Sequence, residues 1–166
     1  PSEVIFTSGS TESNNTAILG IEEYARATKK MHIITTAIEH KAVLEPLKYL
    51  EGKGFSVDYV KPDESGRINS ETLLSKVRND TVLVSVMFVN SETGIIQPVE
   101  EIGRALKKKK VLFHVDATQA LGKLNDRIRN LDYDMMSIAA HKIGGPQGIG
   151  ALILKRDEQF KRPPIT

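Results

Sequence analysis

The stretch VLVSVMFVN, residues 82–90, is apolar at every position up to Asn90 except Ser85. A strand with one wet face alternates apolar and polar residues. A run without that alternation reads as a strand covered on both faces, the signature of a parallel sheet with helices on each side. The run stops at a polar loop, Asn90-Ser91-Glu92-Thr93-Gly94. Open α/β sheets assemble their sites at such carboxyl ends. Downstream, Val99–Leu106 carries Val99, Ile102 and Leu106 at helical spacing, and Val111–Val115 reads as the next strand, ending in Asp116-Ala117-Thr118-Gln119. An aspartate straight after a buried run requires a partner.

The pattern repeats on either side. Val4–Phe6 is a short strand followed by the small polar turn Thr7–Glu12, and the apolar spacing from Thr11 to about Lys29 predicts one helix. A helix that starts after such a turn offers free N–H groups to an anion, while N-capping by Ser10 or Thr11 is the plainer use of the same residues. Ile33–Thr36 is a strand that leads through Glu39 and His40 into a helix over Lys41–Gly52. Phe55–Val60 is a strand, Pro62–Arg67 a turn, and Asn69–Val77 a short helix. Ala120–Arg129 reads as irregular. Met135–Ile138 is a strand that delivers His141 and Lys142 into the glycine turn of HKIGGPQG, and Ala151–Leu154 is the last strand. The alternation predicts an α/β fold, a three-layer αβα sandwich with a mainly parallel sheet and an antiparallel last strand at about 150–154.

Composition narrows the function. With 23 basic and 21 acidic residues the net charge is +2, too small for a nucleic-acid or membrane field. The only basic cluster, Lys107–Lys110, follows a predicted helix, where cations suit the dipole and solvent. There is no cysteine, which excludes disulfides, thiolate metal sites and a cysteine nucleophile within these residues and fits a cytoplasmic location. The four histidines are too scattered for a metal centre. No apolar run is long enough to span a membrane. The sequence opens on Pro1-Ser2-Glu3 and closes on Pro163-Pro164-Ile165-Thr166, so a piece of a longer protein is expected.

Five polar points follow predicted strands: Ser10/Thr11, His40, Asn90/Ser91, Asp116/Gln119 and His141/Lys142. One such point is uninformative, whereas five on one sheet edge predict a site. The set has the parts of a pyridoxal phosphate site. A lysine can form a Schiff base, favoured when its amine is desolvated. A carboxylate can hold a pyridine nitrogen protonated, a ring can stack, and a helix N-terminus can take a phosphate.

The segments FTSGSTESNN, TTAIEHKAVLEPL, VNSETGIIQPVEEIG, FHVDATQALGKL and SIAAHKIGGPQGIGALIL resemble, in order, those of the cysteine desulfurases of the NifS/IscS-like group. That group lies within the class V aminotransferase, fold-type-I pyridoxal phosphate enzymes. The resemblance implies roles residue by residue. Lys142 would be the Schiff-base lysine and a proton shuttle, and His40 would stack on the pyridine and serve in acid–base steps. Asp116 would pair with the pyridine nitrogen and Gln119 with the phenolic oxygen. Thr11, the Ser10 backbone and His141 would hold the phosphate. Asn90 and Ser91 fall where the family contacts cofactor or substrate, Ser91 replacing a customary asparagine. Ala139 replaces a hydroxyl ligand of the phosphate, with Ser137 the nearest substitute.

The resemblance also implies L-cysteine as substrate, a homodimer, and a sulfur-acceptor or iron–sulfur scaffold protein as partner. Residues 1–166 would be part of the large cofactor-binding domain. A small domain outside them would bring the persulfide-forming cysteine and the arginine for the substrate carboxylate, so the 166 residues alone are expected to be inactive as a desulfurase. A selenocysteine lyase or another class V transaminase-like enzyme shares the scaffold. A non-catalytic paralogue is the alternative that Ser91, Ala139 and the missing cysteine suggest.

Overall fold

The computed structural model describes residues 3–155 and residue 165. Seven strands form one sheet: β1 (Val4–Thr7), β2 (His32–Thr36), β3 (Ser56–Val60), β4 (Thr81–Met87), β5 (Leu112–Asp116), β6 (Met135–Ala139) and β7 (Gly150–Leu154). Their spatial order is β1-β7-β6-β5-β4-β2-β3. The pairs β2–β3, β2–β4, β4–β5 and β5–β6 are parallel. The last strand, β7, is antiparallel to β6 on one side and to β1 on the other, as the sequence predicts for 150–154.

The missing alternation in the central strands has a direct cause. Consecutive side chains point to opposite faces, and both faces are covered. Ile33, Leu83, Leu112 and Met135 pack on one side with Ile18 and Ile21 and with Val43 and Leu47 of the helix α3 (Lys41–Gly52). Ile34, Val84, Phe113 and Met136 pack on the other with Leu73 of α4 (Ser70–Ser75) and Val99 and Ile102 of α5 (Val99–Leu106). Full burial of such a side chain contributes roughly 1.5–3 kcal/mol, so the central strands are the stable frame from which the site hangs. This is the expected three-layer αβα sandwich.

Two local expectations are corrected. The helix predicted over 11–29 is two helices, α1 (Ser10–Leu19) and α2 (Glu22–Thr28). The break falls at Gly20, where a Cβ would come within 2.5 Å of the Thr16 carbonyl oxygen and 2.4 Å of Ile165. The stretch predicted as irregular over 120–129 contains a short helix, α6 (Asn125–Arg129), with no buried residue. It has no apolar stripe to announce it. Inside α3, Pro46 cannot donate to the carbonyl of Ala42. Asn15 of α1 donates its Nδ2 to that oxygen (3.4 Å), linking α1 to α3.

Candidate functional site

The carboxyl ends of β2, β4, β5 and β6 and the start of α1 enclose a cleft of about 360 Å³. Eight of the sequence-predicted residues line it: Ser10, Thr11, His40, Ser91, Asp116, Gln119, His141 and Lys142. Met87, Val89, Glu92 and Thr118 complete the lining and were not singled out from the sequence.

One wall is the start of α1. Its N-cap is Gly9, and no side chain caps it, so Ser10 and Thr11 are not caps but the first helical residues. The helix presents its first N–H groups at the cleft with the positive end of its dipole, an arrangement that favours an anion. Glu12 is turned aside by accepting from the Ser8 N–H (2.6 Å) and hydroxyl (2.7 Å), bonds that hold its carboxyl below the ordinary range. Gly150 brings this wall close. A Cβ there would meet Gly9 Cα at 2.6 Å and the Ile138 carbonyl oxygen at 2.8 Å.

His40 is the N-cap of α3, and its Nδ1 accepts from the Ala42 N–H (3.1 Å). It caps α3 and also lines the cleft. With Nδ1 engaged as an acceptor, the neutral ring carries its proton on Nε2.

Asp116 ends β5 and is buried. Asn14 of α1 donates its Nδ2 to Oδ2 (2.8 Å), and the Thr118 N–H donates to Oδ1 (3.0 Å). Each oxygen keeps a further lone pair for a ligand N–H. Thr118 Oγ1 and Asn14 Oδ1 are buried and have no partner among the described residues, so polar groups in and beside the cleft stand ready for a ligand.

Lys142 and His141 sit after β6 in a short 3₁₀ turn, Ala140–Ile143, and both are exposed. A Schiff base is favoured by a desolvated amine, and in this structure the Lys142 side chain is exposed. Gly144 ends the turn at φ 81°, a conformation that glycine adopts without a Cβ penalty.

Two predicted residues are not on the cleft. Ser137 is fully buried inside β6, and its hydroxyl lies 2.9 Å from Nε2 of His114. It shares a strand face with Ala139 but its hydroxyl is engaged by His114 and does not reach the cleft. Asn90 turns inward. Its Oδ1 accepts from the N–H groups of Glu92 (2.9 Å) and Thr93 (3.0 Å), and its Nδ2 donates to the Ile38 carbonyl (3.2 Å). Asn90 thus shapes the loop that carries Ser91 and ties it to the β2–α3 loop.

Beneath the floor lie two buried titratable groups. His114 is bonded through Nδ1 to Ser85 Oγ (2.8 Å) and through Nε2 to Ser137 Oγ, and burial pushes its pKa down to about 4 against an opposing pull from the charge of Asp116. Glu39 accepts at Oε1 from the Thr36 hydroxyl (2.6 Å) and the Met87 N–H (3.0 Å). Burial pushes its carboxyl up to about 8, the two hydrogen bonds oppose this, and the charge of Asp116 adds to it.

Comparison with known proteins places this geometry. The model of the family "Aminotransferase class-V" matches residues 1–166. The chain is 47% identical over 165 residues to the mitochondrial cysteine desulfurase of Candida albicans, covering 99% of this chain and 34% of that protein. Among solved structures, DndA from Streptomyces lividans superposes with a TM-score of 0.96 at 51% identity, covering 100% of this chain and 47% of that one. The structure described as SspA in complex with cysteine superposes with a TM-score of 0.87 at 42% identity, covering 93% of this chain and 44% of that one. The chain thus spans between a third and a half of the length of these three relatives. Because that family model matches the whole of residues 1–166, the chain belongs to the aminotransferase class-V family.

Proposed function

We propose that these residues form the cofactor-binding part of a pyridoxal-phosphate-dependent cysteine desulfurase, which converts L-cysteine to L-alanine and passes the sulfur to an enzyme thiol. Membership of the family implies pyridoxal 5′-phosphate as cofactor. The observation that carries the reading is the gathering of His40, Asp116, Gln119 and Lys142 around one cleft whose far wall is the open N-terminus of α1.

The residues fit the group. The phosphate suits the free N–H groups of α1 and the nearby Ser10, Thr11 and His141. Asp116 has lone pairs left for a ring N–H, and Asn14 and the Thr118 N–H hold its carboxylate in place. When bound, the cofactor supplies an electron-withdrawing ring that stabilises negative charge on a substrate carbon. The chain's own residues orient and move protons. Lys142 Nζ can anchor the cofactor's aldehyde and carry a proton. His40 can exchange one at Nε2, since Nδ1 is committed to α3. Gln119 offers an amide within the same cleft.

L-cysteine enters this proposal through the named relatives, one of which is described in complex with cysteine. The sulfur-accepting thiol must come from outside these 166 residues, which contain no cysteine. The reading extends to a cytoplasmic homodimer that serves a sulfur-acceptor or iron–sulfur scaffold protein, with residues 1–166 belonging to its large domain. Among the described residues no helix is long and apolar enough to cross a membrane.

The test is titration with pyridoxal phosphate, followed by borohydride reduction and peptide mapping. We expect a visible absorption band and a reduced adduct on Lys142, both lost in Lys142→Ala. No band at excess cofactor, or a band that survives Lys142→Ala, overturns the assignment.

A further inference from the structure

Glu39 precedes the cleft-lining His40 but does not itself line the cleft. It is 6% exposed. Its two oxygens are treated unequally. Oε1 takes two hydrogen bonds, from Thr36 and Met87, and Oε2 has no partner among the described residues. Met87 is the register partner of Asp116 across β4 and β5, so Glu39 is bonded to the backbone beside the aspartate. Asp116 has an N–H donor on each oxygen. Two neighbouring buried carboxyls do not both ionise readily, and the one with donors on both oxygens takes the charge.

Among the described residues the charged group that acts on Glu39 is Asp116, and no cation opposes it. Strand β4 carries no titratable side chain. Strand β5 brings Asp116 and His114, the latter kept neutral by burial. The β2–α3 loop brings His40, and the loop after β4 brings the exposed Glu92. A proton on Oε2 is the one change that removes an unsolvated charge from Glu39.

We infer that Glu39 is a charge-setting positioning residue, held as a neutral acid under the cleft so that Asp116 alone presents negative charge to the ligand nitrogen it pairs with. This rests on the reading of Asp116 as the partner of a ring nitrogen. Ionising Glu39 would add a second negative charge behind that pair and tighten the hold on the ring proton. Glu39 would act through Asp116 and through the Met87 backbone, touching neither cofactor nor substrate.

The test begins without ligand. In protein labelled with ¹³C at the glutamate carboxyls, the Glu39 signal is the one that Glu39→Gln removes. We expect the protonated position at pH 7 and a titration only toward pH 8 and above. In Asp116→Asn the midpoint should fall, by about tenfold in proton affinity for each pH unit. A carboxylate position at pH 7, or a midpoint indifferent to Asp116→Asn, overturns the inference, whether or not pyridoxal phosphate binds. With pyridoxal phosphate bound, the wild-type absorption spectrum should change with the Glu39 titration, and Glu39→Gln should abolish that change. A spectral transition that persists in Glu39→Gln refutes the charge-setting role even where the cofactor site itself is upheld.

Discussion

Acid should destabilise this protein through His114. Its ring is completely buried between Ser85 and Ser137, one hydroxyl at each nitrogen. A neutral ring donates to one hydroxyl and accepts from the other. A protonated ring is a double donor carrying a charge out of contact with bulk solvent. Burial accordingly lowers the pKa from 6.5 to about 4. Between those values the unfolded chain takes up a proton that the folded chain refuses. The stabilisation is whole above pH 6.5 and is lost as pH falls toward 4. At about 1.4 kcal/mol per tenfold change in proton affinity, the full effect is about 3 kcal/mol, of which about 2–3 kcal/mol falls between pH 7 and pH 4.5. That is a large part of the stability of an ordinary domain. Urea unfolding at both pH values, for wild type and for His114→Gln, measures it. His32 is also held below its ordinary value by burial, but it contributes equally to both proteins and cancels in the comparison. The wild type should lose about 2–3 kcal/mol more than His114→Gln over this range. Equal losses would refute the reasoning. If the variant does not fold, ¹⁵N imidazole spectra of the wild type serve instead, and a charged His114 ring at pH 5.5 in the folded protein carries the same refutation.

Two substitutions probe the walls of the cleft. Asn14→Ala removes the Oδ2 donor of Asp116; loss of a hydrogen bond to a charged group should cost about 1.5–3 kcal/mol in urea unfolding and weaken pyridoxal phosphate in an equilibrium titration. Gly150→Ala places a methyl group against the Gly9 backbone and the Ile138 carbonyl, none of which is the end of a flexible side chain. It should destabilise by about 1–3 kcal/mol and lower cofactor affinity by displacing the start of α1, and an unchanged affinity would show that the close approach does not position that wall.

The frame of the molecule was legible because burial on both faces leaves a mark. Leu83 and Val84, or Leu112 and Phe113, are neighbours in sequence that enter opposite cores, and no one-sided strand would spend two apolar residues in a row. The cleft-lining polar residues were legible for a related reason, since each stands just past such a run. What stayed hidden depends on distance or depth. Asn14 meets Asp116 from 102 positions away, and its own neighbourhood reads as an ordinary first helix. Ser137 and Ala139 share a strand face, and periodicity alone does not reveal that only one is near the strand's end. Asn90 stands at the right place in the chain but spends its amide on its own loop. Glu39 carries no mark in the sequence beside His40, because a carboxyl's lack of a partner on one oxygen is a fact of packing. The helix over 125–129 buries nothing, so no apolar pattern could have signalled it.

The pairing of β1 with β7 joins nearly the first described residues to nearly the last, Val4 to Ile153 and Thr7 to Gly150. During synthesis the parallel strands β2 to β5 can find their partners as they emerge, but among the described residues β1 has no strand partner until β7 has left the ribosome. The first strand must wait unpaired even though α1 can already pack on α3, and closing so long a loop carries an entropic cost that the four residue pairs between β1 and β7 offset only at the end. The start of α1 reaches its finished surroundings only when β7 closes on β1, because Gly150 of β7 lies against Gly9 at the head of that helix. An anion bound there would stabilise the completed sheet over every earlier state, so cofactor supply during synthesis should raise the yield of folded protein as well as loading its site.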